Sequence, residues 1–418
     1  MSDAATLAFE SRRSRAERRR GGIFNTPYDV ALDACRTLLA GAPPGSVVLD
    51  PSCGTGTFLL AARSVLGPSA RLIGVDVDPA ALEVARSRVP DAELVVGDGL
   101  AWSEPVDFVV GNPPYVDGLQ ARFLARACSL SSAVAMVVPT SLLATNEGRA
   151  FRSSGLGVAS FVPLGRVFDA DVDTCVLVLR RGAPVPPGPT WSSLLVGDVP
   201  DVSLTGPPLG ASCDVVAGFR QHYYGLRGCV SEGSGGLRLV TSGSIDVGAL
   251  NDRPVRFDGV RYSSPVVDLS TSPVQSWFEA LLRPKVVVAT QTRVLEAAAD
   301  VDGSLVPSVP VISVVPHDPS QVWSMLAVLC APPVTAWALR RWGGTALSAS
   351  ALKLGAPNVR EIPLPGAPST AFDDAVAAVR AGDVSSCARL MCDAYGLSTE
   401  DGEEVFSWWA ARQEPTRR

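Results

Sequence analysis

The sequence predicts an α/β protein, a doubly wound and mostly parallel sheet followed by a separate α+β domain. Three observations predict it. Strand and helix signals alternate from 46 to 181, and the first four strands each end in an Asp, Gly or Asn turn. A Pro-rich stretch, Ala183–Pro189, then closes the alternation. Alternation of this kind builds βαβ units, whose crossovers put helices on both faces of a parallel sheet.

Ser46–Asp50 reads as a short apolar strand and Phe58–Leu66 as the helix after it. Arg71–Val75 is a strand, Pro79–Arg88 a helix with Pro at its first position, and Leu94–Val96 a strand. Val106–Gly111 is a strand, Leu119–Ser129 a helix, and Ala133–Val138 an apolar strand. Val158–Pro163 and Thr174–Leu179 are two final strands, one able to form an antiparallel edge. The domain organisation expected is an Arg-rich arm (1–21), a first domain (22–182), a linker (183–190) and a second domain (191–418). The second domain is less periodic and rich in Gly, Ser and Pro. It carries strand-like runs at Lys285–Thr290 and Val311–Val315, and helices at Val322–Leu329 and Ala371–Arg380.

Composition narrows the function. A chain of 418 residues with 47% hydrophobic content can bury more than one core. No apolar run reaches the roughly 18 residues of a membrane span, and the N-terminus lacks an apolar signal core, so a soluble, cytoplasmic protein is expected. Nine scattered cysteines without a Cys-x-x-Cys pair, and two histidines, His222 and His317, argue against a zinc site or a disulfide framework; no metal is expected. The net charge of −6 on its face argues against nucleic acid, but such binding depends on where charges cluster. Residues 11–20 hold six arginines. The only lysines are Lys285 and Lys353, so basic contacts fall almost wholly to arginine.

The strand ends carry the chemistry. Asp50-Pro51-Ser52-Cys53-Gly54-Thr55-Gly56 follows the first strand, with glycines that let backbone pass close to a ligand at a helix N-terminus. Asp76, at the end of the second strand, lies about 20 positions on, where a ribose hydroxyl pair needs acceptors. Asp98 ends the third strand, placed to accept from an adenine amino group. A pyrophosphate-binding loop needs a third glycine where this chain has Leu59, so the ligand is a nucleoside without pyrophosphate, such as S-adenosylmethionine. The fourth strand ends in Gly111-Asn112-Pro113-Pro114-Tyr115. The Asn112 side-chain oxygen and the Pro113 carbonyl can accept the two hydrogens of a conjugated amino group and aim its lone pair at a methyl donor. Proline fixes the turn, and Tyr115 offers a ring for a flat base.

Together with Asn25-Thr26-Pro27 upstream, these motifs resemble the gamma-class, TaqI-type adenine-N6 DNA methyltransferases of restriction-modification and phage-defence systems. The resemblance is strong over 22–180 and weaker beyond. It implies a Rossmann-like methyltransferase sheet followed by an α+β target-recognition domain, S-adenosylmethionine as cofactor, and base flipping in double-stranded DNA. It places Thr26 and Pro27 near the methionine end of the cofactor, with Asp50, Pro51, Cys53, Gly54 and Gly56 in the cofactor loop. Asp76 binds the ribose, Val77 packs on the adenine and Asp98 takes its amino group. Asn112, Pro113, Pro114 and Tyr115 hold the target base, and Phe168 covers its other face. Lys285, Thr290, Gln291, Thr292 and Arg293 match a DNA-contacting strand and loop. The stretch after Tyr115 holds a single helix where family members often carry a longer insertion.

Three rivals remain open: a protein-glutamine methyltransferase, an RNA adenine methyltransferase, and a DNA-specificity module without activity. The long second domain disfavours the first, and the intact Asn112, Tyr115, Asp76 and loop glycines disfavour the last. Only about 25 residues precede the Thr-Pro pair and no Glu-x-Lys occurs, so a stand-alone modification enzyme is expected, paired with a separate restriction endonuclease or defence-system proteins, or solitary.

Overall fold

Ala31, Ala34, Cys35, Leu38 and Leu39 recur at helical spacing and are buried, which makes α1 (Tyr28–Leu39) an amphipathic helix laid on a core. In this computed structural model the residues described are 26–116, 118–165, 172–186, 188, 190–344 and 351–413. They form two units that divide between Leu194 and Leu195.

In the first unit the alternation becomes β1 (Val47–Asp50), α2 (Thr57–Leu66), β2 (Arg71–Asp76), α3 (Pro79–Arg88), β3 (Glu93–Val96), β4 (Phe108–Gly111), α4 (Leu119–Leu130) and β5 (Ala133–Pro139). β6 (Leu156–Gly165) and β7 (Thr174–Arg181) follow. Among the described residues these strands make one seven-stranded sheet in the order β3-β2-β1-β4-β5-β7-β6. β1 to β5 pair in parallel, and β7 enters antiparallel between β5 and β6. All seven residues of β5 are buried, as a central strand covered on both faces requires. The strand order reverses between β1 and β4, and a crevice at that switch point is where doubly wound sheets bind ligands. Asp78 caps α3 by accepting the Ala80 N–H at 3.0 Å.

The first unit extends past the expected linker. Trp191 is 1% exposed, meets the Phe151 ring edge-on at 5.3 Å, and donates its backbone N–H to the Leu143 carbonyl at 2.7 Å. These contacts hold the chain to the first core beyond the Pro-rich stretch, so the division falls after 194 rather than within 183–190.

The second unit is α+β. One four-stranded sheet sets Lys285–Val288 between Ala297–Asp300 and Ile312–Pro316, with Cys213–Ala217 outermost. A second four-stranded sheet joins Leu305–Pro307, Leu237–Val240, Pro265–Val267 and Val230–Glu232. Helices Val322–Leu329, Pro332–Trp342, Thr370–Arg380 and Val384–Ala394 supply most of the helical side of its main core. No single helix among the described residues is long and apolar enough to cross a membrane; one bent pair passes on length and composition, and its apolar residues lie in this core.

Candidate active site

The carboxyl ends of β1 to β4 converge, and glycines allow it. Cys53 donates its backbone N–H to the Val75 carbonyl at 2.9 Å, and Gly56 to the Cys53 carbonyl at 2.8 Å, folding the loop after β1 back onto β2. Gly54 and Gly56 have φ of 51° and 79°, a region that costs other residues strain. A side chain at Gly56 would also press on Ala85, with its Cβ 3.1 Å from that residue's. Cys53 is buried, its Sγ 2.8 Å from where a Cβ on Gly74 would stand, and burial pushes its thiol well up; it is a small packing residue.

Asp76 ties the loops together. One carboxylate oxygen accepts the Gly54 N–H at 2.7 Å and the other the Asp78 N–H at 2.9 Å. A carboxylate has about four acceptor sites, enough for these bonds and for hydroxyl donors from a ligand. Val77 beside it is 72% exposed, and Val96, which pairs with Asp76 across the sheet, is 60% exposed. Two uncovered valines flanking a carboxylate suit the edge of a nucleoside. Asp98 is exposed and caps a short turn, accepting the Leu100 N–H at 2.9 Å. A Cβ at Gly99 would overlap the Pro51 carbonyl oxygen, so this glycine lets the β3 and β1 loops touch.

Asp50 sits at the centre, 1% exposed, accepting the Ser52 N–H at 3.1 Å. Burial pushes its carboxyl up to about 8; the Ser52 bond opposes this and the Asp76 charge adds to it. Gly111 ends β4 against it, so close that a Cβ there would lie 2.8 Å from Asp50 Oδ1. Asn112-Pro113-Pro114-Tyr115 therefore leaves the sheet beside Asp50. Pro113 is buried, the other three are half-buried, and burial pushes the Tyr115 phenol well up. Thr26 is buried and Pro27 heads α1, whose Tyr28 hydroxyl bonds Ser64 of α2 at 2.9 Å. Phe168 and the arginines of 11–20 lie outside the described residues.

The second unit corrects one expectation. Lys285 is fully buried and paired with Asp300, directly opposite it in the sheet, so it offers nothing to DNA. Thr290 is buried too. Gln291 is exposed, while Thr292 and Arg293 are half-buried. Lys353, the other lysine, stands exposed across a two-residue strand pair from Gln291. The close approaches that Gly99 and Gly111 permit are visible only in the structure, although both glycines flank the strand-end Asp and Asn in the sequence.

Residues 43–97 match the methyltransferase-domain family. The chain is 39% identical over 112 residues to the type II methyltransferase M.CvrRI of Paramecium bursaria Chlorella virus XZ-6E, covering 26% of this chain and 28% of that one. It is 47% identical over 79 residues to a type II methyltransferase of Thermus thermophilus, 18% of each chain. It is 35% identical over 91 residues to a tRNA (guanine(6)-N2)-methyltransferase from another strain of Thermus thermophilus, covering 18% of this chain and 25% of that one. The matched stretches span less than a third of each relative's length.

Proposed function

Because the chain carries a methyltransferase domain related to those of restriction-modification enzymes, we propose that it is a site-specific DNA methyltransferase acting on adenine N6 in duplex DNA. The observation that carries this reading is the exit of Asn112-Pro113-Pro114-Tyr115 from β4 against Asp50, one loop from Asp76. The cradle fits S-adenosylmethionine: glycines replace side chains where a ligand backs onto the loop, and exposed valines flank an acceptor. When bound, S-adenosylmethionine supplies an electrophilic sulfonium methyl. Asp76 takes the ribose hydroxyls, Val77 packs on the adenine and Asp98 accepts from its amino group. Thr26 and Pro27 close the methionine end.

Asn112 and Pro113 each accept one hydrogen of the target amino group, which turns its lone pair toward the incoming carbon. An adenine within a duplex must first rotate out, at a cost of a few kcal/mol. Stacking on Tyr115 and Phe168 offsets this by roughly 1–3 kcal/mol per base, on the scale of single-strand stacking. Rate enhancement then comes from positioning and electrostatics, with no covalent nucleophile. Gln291, Thr292 and Arg293 of the second unit contribute to recognition. On this reading the enzyme works beside a separate endonuclease, with defence-system proteins, or alone.

Mass spectrometry of nucleosides from duplex DNA treated with protein and cofactor tests this, with tRNA treated in parallel. N6-methyladenine in the DNA is the expected product. N4-methylcytosine instead, or methylation of tRNA alone, overturns the reading.

A further inference from the structure

A hairpin in the second unit sets two arginines face to face. Val255–Phe257 pairs with Val260–Tyr262 around Asp258 and Gly259, whose φ of 48° and 83° make the tight turn. The register puts Val255 opposite Tyr262, Arg256 opposite Arg261 and Phe257 opposite Val260. Val255 and Phe257 are buried, so strand alternation turns both arginines to the outer face, where both are exposed. The pair next to the one that closes a two-residue turn is the non-hydrogen-bonded kind, in which side chains stand closest. Like charges placed this way destabilise a hairpin. Neither arginine has an ion pair or hydrogen bond among the described residues.

The acid at the turn is engaged elsewhere. Asp258 at the tip is held by Arg227 at 2.9 Å. Arg227 in turn lies 4.6 Å from the centre of the Tyr224 ring, and the Tyr223 hydroxyl accepts the Asp258 N–H at 3.1 Å. The hairpin tip is thus fastened to helix Arg220–Gly225, whose Tyr224 is 50% exposed beside it. A pair of exposed guanidinium forks on a fastened hairpin, with no ion pair among the described residues, suits phosphate oxygens. It stands on an exposed strand face in a chain of net charge −6, where affinity for a polyanion has to be concentrated locally.

We infer that Arg256 and Arg261 clamp a backbone phosphate of duplex DNA. This rests on the proposed reading of DNA as substrate. The test is anisotropy of a labelled, mixed-sequence duplex over a salt series, using the full chain and the variants R256Q/R261Q, R256K/R261K and R261E. In R256Q/R261Q the slope of log affinity against log salt becomes shallower by roughly 0.9 for each phosphate that the variant no longer neutralises. Affinity falls alike for every duplex sequence, because bonds to phosphate carry no sequence information. R256K/R261K keeps most of the slope. R261E gives Arg256 an opposite charge across the strand, so it melts higher than wild type yet binds DNA more weakly; a pair without a part in DNA binding would melt higher and bind DNA as wild type does.

A wild-type slope in both R256Q/R261Q and R261E overturns the clamp while leaving DNA as the substrate. Weakening confined to one sequence also overturns it, since it marks base contact. Wild-type protein that binds no duplex, or binds tRNA far more tightly, overturns the DNA reading itself.

Discussion

Asp50 is where a single residue's environment most changes the chemistry around it. Its carboxyl lies near 8 in the folded protein and about 4 in an unfolded chain, so it is raised by burial. Stability from this group is therefore fully present below about pH 4 and is lost as pH rises through about 8. Asp50→Asn should remove that decline, giving thermal melting curves that vary less between pH 5 and 8. A cationic cofactor should favour the carboxylate, so binding near neutral pH should release a proton. Calorimetry in buffers of different ionisation heat measures it; no proton release at pH 7 would show that Asp50 does not sense the ligand's charge. Asn112 and Asp76 should separate in the same experiment. Asn112→Ala should abolish transfer and leave cofactor affinity nearly unchanged. Asp76→Ala also removes the bonds that fasten Gly54 and Asp78, so cofactor affinity should fall by about 1.5–3 kcal/mol or more, the scale of a hydrogen bond to a charged group. Equal losses in both variants would contradict the assignment. At this scale the sequence marks where the polar residues stand, Asp50, Asp76, Asp98 and Asn112 each at the end of a strand, because each follows an apolar run. It misled at Lys285, because its partner Asp300 lies fifteen residues away along the chain and only the sheet register sets the two opposite each other.

Elements with a marked start are legible almost to the residue. The sequence marks α3 as Pro79–Arg88, with its proline start, and the helix forms there. It marks β5 one residue short, because a uniformly apolar run reveals a doubly covered strand without revealing its end. α1 escapes sequence reading since its buried stripe begins with Ala31, Ala34 and Cys35, small residues that dilute an apolar signal. β6 is longer than its expected span at both ends, and bulges near Val158 and Pro163 break the alternation that would have shown it. Loop contacts are less legible than elements, and Gly99 tests their weight. A methyl group there would overlap the Pro51 carbonyl, whereas at Gly97 nothing lies within 4 Å. Gly99→Ala should cost at least about 1–3 kcal/mol of stability, the usual scale of overpacking, and weaken cofactor binding with it. Gly97→Ala should do neither. Identical melting temperatures and affinities for the two variants would mean that the β3 and β1 loops do not need their close approach.

For the whole molecule, the consequence is a division of labour that cutting the chain can expose. Every candidate cofactor and amino-group ligand among the described residues lies before Leu195, and the first unit has a core of its own. The Arg256 and Arg261 pair lies after it. A fragment ending at Leu194 should therefore fold and bind S-adenosylmethionine within a few-fold of the full chain, while losing methylation of duplex DNA. The position of the cut matters, because Trp191 fills a space against Phe151 that the Pro-rich stretch alone cannot fill. A fragment ending at Gly182, where composition shifts, should melt lower than one ending at Leu194. Losing a buried aromatic costs about 3–5 kcal/mol, which for a unit of this size is about 6–20 °C. Calorimetric melting of the two fragments measures the difference. Equal melting temperatures would return the boundary to the Pro-rich stretch and make Trp191 a passenger. Full duplex methylation by the fragment ending at Leu194 would remove the second unit from recognition, and with it the reason for an arginine pair there.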